Sequence, residues 1–183
     1  ASSTNECMPY QFCRMFENAP VYAVYGHPFQ DATMAEGCCY EMFSGCSILN
    51  EISDLSCANI ESYCFYGMFR NCSSLERAPE LPQELTDLSP YCFAYMFYGC
   101  TNLENITFIG SINYDIDFSY CTLLTYDSVK SILTACSNTI RPTATTSKIL
   151  KFNRTLADQN GELAALIADC NTKKWTISGL TLE

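Results

Sequence analysis

The dipeptide Met-Phe occurs four times, at Met15-Phe16, Met42-Phe43, Met68-Phe69 and Met96-Phe97, in steps of 27, 26 and 28 residues. A period of that size means one structural unit used several times. The copies read YQFCRMFENAPVY, GCCYEMFSGCSIL, YCFYGMFRNCSSL and YCFAYMFYGCTNL, so Cys38, Cys64 and Cys92 share one column and Cys46, Cys72 and Cys100 another. Further columns hold Asn18, Gly45, Asn71 and Gly99; then Ser47, Ser73 and Thr101; then Leu49, Leu75 and Leu103, with Tyr22 in the first copy. A fifth, decayed copy, DFSYCTLL, keeps Phe118, Cys121, Thr122 and Leu124 but has Asp117 where Met belongs.

Within a copy, C-x3-M-F-x2-C puts apolar side chains at i, i+4, i+5 and i+8, which predicts a short helix closed by Asn or Gly. The following L-x-x-[IA] predicts a brief strand, and proline segments such as APELPQEL return the chain to the next copy. One such coil cannot bury its own apolar stripe, whereas stacked coils can. The expected fold is therefore an α/β leucine-rich-repeat-like solenoid of 26–28-residue helix-turn-strand coils over residues 1–125, with a parallel strand ladder on one face. Its repeat core would be Met15, Phe16, Met42, Phe43, Met68, Phe69, Met96, Phe97, the six column cysteines, and Leu49, Leu75 and Leu103.

The strings M-F-x-[GN]-C-[ST]-x-L-x-x-[IA], clearest at Met68 to Ala78 and Met96 to Ile106, resemble the BspA-like leucine-rich repeats of surface proteins of gut and oral anaerobes and of their phages. The resemblance covers roughly residues 8–125. It implies an adhesion or recognition module, and it brings no catalytic motif. The first copy departs from the pattern, with Ala19 in place of the second column cysteine and VYAVYGHPFQDATMAEG after it.

Residues 126–183 follow another pattern. YDSVKSILTACSN predicts a helix with Asp127 or Ser128 as N-cap, SKILKFN a strand, ADQNGELAALIADCNTKK a second helix and WTISGLTL a last strand. These two helix-strand units would form a C-terminal cap over the open end of the repeats. Charge divides at the same place: residues 1–129 carry 16 acids and three bases, residues 130–183 four acids and seven bases. The net charge of −10 disfavours nucleic acid and anionic membranes as partners. No apolar run reaches the roughly 18 residues that span a bilayer, so membrane insertion is not expected.

Thirteen cysteines could form disulfides, hold metal or pack as thiols. On a helix, two cysteines eight residues apart lie about 12 Å apart along the axis, too far to bridge within a copy. Packed thiols, with no metal and no cofactor, are the expectation; Cys38 and Cys39 are adjacent and no paired C-x2-C set exists. His27, the single histidine, sits in a Gly-His-Pro turn and makes a poor partner for a nucleophilic cysteine. No phosphate-loop, dinucleotide or zinc-protease string is present, and Asn-x-Ser/Thr strings at Asn71, Asn105 and Asn153 matter only in a eukaryotic secretory route. An enzyme is not expected.

What the sequence leaves is a surface. Positions that change from copy to copy while the frame stays fixed include Tyr40, Tyr66, Tyr95, Tyr98 and Arg70 around the Met-Phe dipeptides, and Glu51, Glu76, Arg77, Glu104 and Asn105 on the strands. Tyr, Arg and Asn suit contact surfaces. The expected function is a surface-displayed module that binds a protein or glycan outside a cell. The alternative is a structural decoration or fibre component of a phage virion, packed against other subunits of that assembly.

Overall fold

The computed structural model describes residues 6–57, 59–81, 91–108, 112, 115–137 and 148–183. Each Met-Phe segment is a chain of four-residue turns. In the first copy the N–H groups of Gln11, Cys13, Met15, Glu17 and Ala19 donate to carbonyls three residues back, at 3.0–3.2 Å. The N–H groups between them, of Tyr10, Phe12, Arg14, Phe16 and Asn18, donate to the carbonyls of Glu36, Cys38, Tyr40, Met42 and Ser44 in the second copy, at 2.8–3.0 Å. The same alternation ties the second copy to the third, through Gly37, Cys39, Glu41, Phe43 and Gly45. It also ties the third to the fourth, through Phe65, Gly67, Phe69 and Asn71.

This backbone overturns the expected helix-turn-strand solenoid. A helix keeps its N–H groups on its own i−4 carbonyls, whereas here every second one leaves the copy. Among the described residues the helices are α1, Tyr126–Ser137, and α2, Glu162–Thr172, both in the tail. The strands described among the repeats, β1 (Ala23–Val24), β2 (Thr33–Met34), β3 (Glu51–Ile52) and β4 (Asn59–Ile60), are two residues long and pair as β1–β3 and β2–β4, with Thr33 of β2 also bridged to Glu6. Among the described residues they form no continuous ladder. The reason is that spacing i, i+4, i+8 serves a ribbon of four-residue turns as well as it serves a helix. The return segment APELPQEL runs beyond Leu81 into residues outside the described ones.

Every fourth residue of the ribbon has positive φ. Tyr10, Arg14 and Asn18; Gly37, Glu41 and Gly45; Tyr63, Gly67 and Asn71; and Tyr91, Tyr95 and Gly99 all lie between 49° and 78°. The Asn/Gly column is thus a left-handed turn position rather than a helix end. Glycine also leaves room: a Cβ on Gly45 would lie 2.1 Å from Asn18 Oδ1, and one on Gly99 2.3 Å from Asn71 Oδ1. Asn in one copy therefore packs over Gly in the next.

Phenylalanine forms the axis of the core. Phe16, Phe43, Phe69, Phe97, Phe118 and Phe152 stack in sequence with centroids 5.3–6.0 Å apart, carrying the core from the first copy into the tail. Met42, Met68, Met96, Leu49, Leu75 and Leu103 are buried around it. Two expected core residues are not: Met15 is 52% and Phe16 36% exposed, because no described residue covers the outer side of the first copy.

In the tail, β5 (Ile116–Asp117), β6 (Lys148–Leu156) and β7 (Trp175–Leu182) form a parallel sheet with β6 in the middle. The cap of α1 is Thr125, not Asp127 or Ser128: its carbonyl accepts from Val129 N–H and its Oγ1 from Ser128 N–H. Ser128 instead fastens the fourth copy, its Oγ donating to the Glu104 carbonyl at 2.8 Å and accepting from Ile106 N–H. Asp158 accepts the N–H groups of Leu163 and Ala164 at the start of α2, five residues into the expected ADQNGELAALIADCNTKK helix. Asn138 and Ser147, at the edges of the expected first helix and strand, fall outside the described residues.

Candidate functional site

The turn ribbons place their variable side chains in rows, because equivalent residues of successive copies are hydrogen-bonded neighbours. Tyr40 stacks on Tyr66 with centroids 4.8 Å apart and planes 5° apart. Tyr66 meets Tyr63 and Tyr95, Tyr63 stacks on Tyr91 at 5.4 Å, Tyr95 meets Tyr98, and Tyr98 meets Tyr120 at 4.2 Å. Tyr10 joins at the far end, 6.4 Å from Tyr40. Eight tyrosines from four copies and the decayed fifth form one contiguous face. Tyr10, Tyr91, Tyr95 and Tyr120 are each 45–57% exposed, and the others are half-buried between them.

Charge is built into the same face. Glu41, buried, receives Arg14 through Nε at 2.8 Å and Nη2 at 2.6 Å, and Arg70 at 3.6 Å from the other side. The two guanidinium groups also lie over rings, Arg14 over Tyr40 at 5.9 Å and Arg70 over Tyr98 at 5.3 Å. Gly67 makes this possible, since a Cβ there would stand 3.0 Å from Glu41 Cγ. Burial raises Tyr40 and Tyr66, and the hydrogen bond from Tyr98 to Tyr120, 3.0 Å long, raises Tyr98, so these three phenols stay protonated at neutral pH.

At the tail end the face opens into a cleft of about 200 Å³ lined by Tyr91, Tyr95, Asp115, Asp117, Ile149 and Lys151. Lys151 lies 3.4 Å from Asp117, and Asp115 accepts Ile149 N–H at 2.8 Å. Burial alone would raise Asp117. Hydrogen bonds from Ser119 and the charge of Lys151 outweigh it and hold the carboxyl below its ordinary value.

The expected binding residues thus fall into two groups. Tyr40, Tyr66, Tyr95, Tyr98 and Arg70 are brought together on the tyrosine face. Glu51, Glu76, Arg77, Glu104 and Asn105 lie on the leg after each ribbon, where Arg77 pairs with Asn105 as an isolated parallel bridge and Glu51 accepts from Tyr25 Oη at 3.3 Å. Sequence reasoning missed Tyr10, Tyr63, Tyr91 and Tyr120 as members of the face. For the first three the signal was the column before the first cysteine, Tyr10, Gly37, Tyr63 and Tyr91, which has the same four-residue spacing as the two positive-φ columns after it.

The thiols are arranged as a second ladder, inside. Cys46, Cys72, Cys100 and Cys121 donate to the carbonyls of Phe16, Phe43, Phe69 and Phe97, each in the copy before, at 3.0–3.4 Å. All thirteen cysteines are free thiols and ten are buried. Burial raises Cys46, Cys72 and Cys100 and pushes Cys121 up to about 12, so these groups remain S–H donors. Cys38 is brought down to about 7 by the hydrogen bond from Cys39 and, more weakly, by one from Cys7, against its burial, yet the residue is wholly enclosed. His27 Nδ1 pairs with Asp54 at 2.7 Å. Among the described residues no group of three or more His, Cys, Asp or Glu side chains is placed to hold a metal ion, and no helix is long and apolar enough to cross a membrane.

No protein-family model matches the chain, and no match was found to it among curated proteins or among solved structures.

Proposed function

We propose that the chain is a non-catalytic recognition module whose contact surface is the tyrosine face, and that its ligand is a protein. The observation that carries this reading is the mutual stacking of the rings. Tyr40 against Tyr66 and Tyr63 against Tyr91 each use one ring face on the other, which holds the rings rigid in rows. A protein surface can use rigid, amphipathic ring edges with hydroxyl donors and acceptors, and Tyr and Arg are the residue types that dominate such contacts. The Arg14–Glu41–Arg70 cluster fixes two guanidinium groups beside the rings, which lowers the ordering cost of binding.

Display outside a cell, or on a virion, goes with this reading, as does the similarity of the Met-Phe strings to BspA-like repeats. Burial of ten thiols reconciles a cysteine-rich chain with an oxidising exterior. The test is binding of the fluorescently labelled protein to intact cells, bacterial and animal, compared with its Tyr95→Ser/Tyr98→Ser variant. The expected result is binding that the variant loses, that protease treatment of the cells abolishes and that periodate treatment leaves intact. Equal binding by the variant, or loss of binding on periodate treatment, overturns the assignment of face or of ligand.

A further inference from the structure

Tyr98 and Tyr120 differ from the other ring pairs of the tyrosine face. Their hydroxyls are in direct contact, Tyr98 Oη donating to Tyr120 Oη at 3.0 Å. Their centroids are 4.2 Å apart, close to the spacing of two rings joined by one C–C bond, and their planes are inclined by 48°. Tyr40 and Tyr66 instead lie flat on each other, 5° apart. A phenol's two ortho carbons flank its oxygen, so hydroxyls in contact bring ortho carbons side by side. Tyr120 is 45% exposed, within reach of reagents in solution. The pair also spans a joint of a different kind. The first three ribbons are each tied to the next by main-chain bonds. Among the described residues the fourth ribbon meets the decayed copy through side chains: Phe97 on Phe118, the Cys121 thiol donating to the Phe97 carbonyl, and Tyr98 on Tyr120.

We propose that Tyr98 and Tyr120 are an oxidative coupling site, at which hydrogen peroxide and a haem peroxidase join the two rings and staple the fourth copy to the decayed fifth. Each phenol gives up one electron and one proton. Peroxide takes up both electrons and both protons, its O–O bond breaking to leave two waters. The two ring radicals pair in a new bond between ortho carbons, and the ortho hydrogens then move to the oxygens. Both phenols are thereby restored, and the pair has lost two hydrogens in all. The neighbouring rings serve the site. Tyr66, Tyr95 and Tyr98 follow one another at 5.5 and 6.0 Å, so an electron taken from an outer ring is replaced from its neighbour until the deficit reaches the pair that couples. With every cysteine a free thiol, ring coupling is the covalent fastening this face offers.

The test uses the full chain, reduced, with its partly exposed thiols, Cys7, Cys13 and Cys57, capped by iodoacetamide so that they do not consume the radicals. Hydrogen peroxide is added with a haem peroxidase, and the monomer is recovered and cleaved after glutamate. Glu104 lies between the two tyrosines, so a Tyr98–Tyr120 link holds two fragments together. The expected result is dityrosine fluorescence in the monomer, linked fragments lighter by two hydrogens, and a higher urea midpoint for the linked protein. Tyr120→Phe keeps the ring but has no hydroxyl to oxidise. It is expected to lower the monomer's dityrosine yield about tenfold or more, because the remaining pairs lack the contact. Tyr22→Phe, an exposed tyrosine away from the face, is expected to leave the yield unchanged. A link mapped to another pair, coupling only between molecules, no coupling while the protein stays folded, an unchanged urea midpoint, or equal yields from Tyr120→Phe and the parent would each overturn the proposal. Cell binding enters nowhere in this test, so the coupling site and the contact surface fail separately.

Discussion

The thiol of Cys72 donates to the Phe43 carbonyl at 3.2 Å, and the amide of Cys46 donates to that same oxygen at 3.1 Å. One carbonyl thus closes a turn in its own copy and receives the next copy. The cysteine column is a set of small side chains with a donor at the tip, and both properties are used.

Cys72→Ala removes the donor and leaves a void in the core, with an expected loss of about 1–3 kcal/mol in urea unfolding. Cys72→Ser keeps a hydroxyl donor and should lose less. If the two variants are equally damaged, the hydrogen bond contributes nothing and only the volume of sulfur matters.

Thiol reactivity should divide the cysteines. Cys7, Cys13 and Cys57 are partly exposed, and the other ten are buried. Iodoacetamide followed by intact mass is expected to show at most three modifications on the native protein and thirteen after unfolding. Fast native modification of Cys72 or Cys100 would contradict the packing described.

The Asn71 and Gly99 pair can be probed as a cycle. Gly99→Ala puts a Cβ at φ 78° and 2.3 Å from Asn71 Oδ1. The left-handed backbone costs roughly 1–2 kcal/mol by itself, and the clash adds to it. Asn71→Gly should recover the clash and leave the backbone cost, so the two changes together destabilise less than their sum. Strict additivity measured in urea would refute the close approach.

Stability should form a plateau in pH with two different edges. Burial raises the thiols, Cys121 to about 12 and Cys92 to about 12, above the ordinary value of 9.0. A raised group keeps its full contribution below pH 9 and loses it as the unfolded chain ionises, between pH 9 and 12. Asp54, Asp117 and Asp158 are lowered from 3.8, so their contribution is present above that pH and fades as pH falls below it. Urea midpoints at pH 3, 5, 7.5, 9 and 10 test both signs; a midpoint that rises above pH 9 would contradict the first.

The tail was legible because its elements are long enough for local rules to decide. The alternation in Lys148–Leu156 and the periodicity of Tyr126–Ser137 have one good reading each. The repeat columns were legible as columns, yet their backbone was not. Met68, Cys72 and Cys64 are spaced four apart, and a four-residue turn and a 3.6-residue helix differ too little over nine residues to be separated by hydrophobicity. Positive φ was the missing information, and Glu41, Arg14 and Tyr95 hid it because they occupy left-handed positions without being Gly or Asn. The tyrosine face was half visible for the same reason. Tyr40 and Tyr66 share a recognised column, while Tyr63 and Tyr91 belong to a column whose geometry only the ribbon explains.

The thiol ladder also sets how this molecule can fail. While the copies are stacked, the sulfurs of Cys46, Cys72, Cys100 and Cys121 each face a carbonyl and are hidden from oxidants. Once the stack opens in an oxidising medium, thirteen thiols become available in a number that cannot pair completely. Mispaired bridges would then bar the way back, so that a brief excursion leaves a lasting mark. The protein would behave as a latch against time rather than as an equilibrium, with its endurance governed by the rate at which neighbouring copies part.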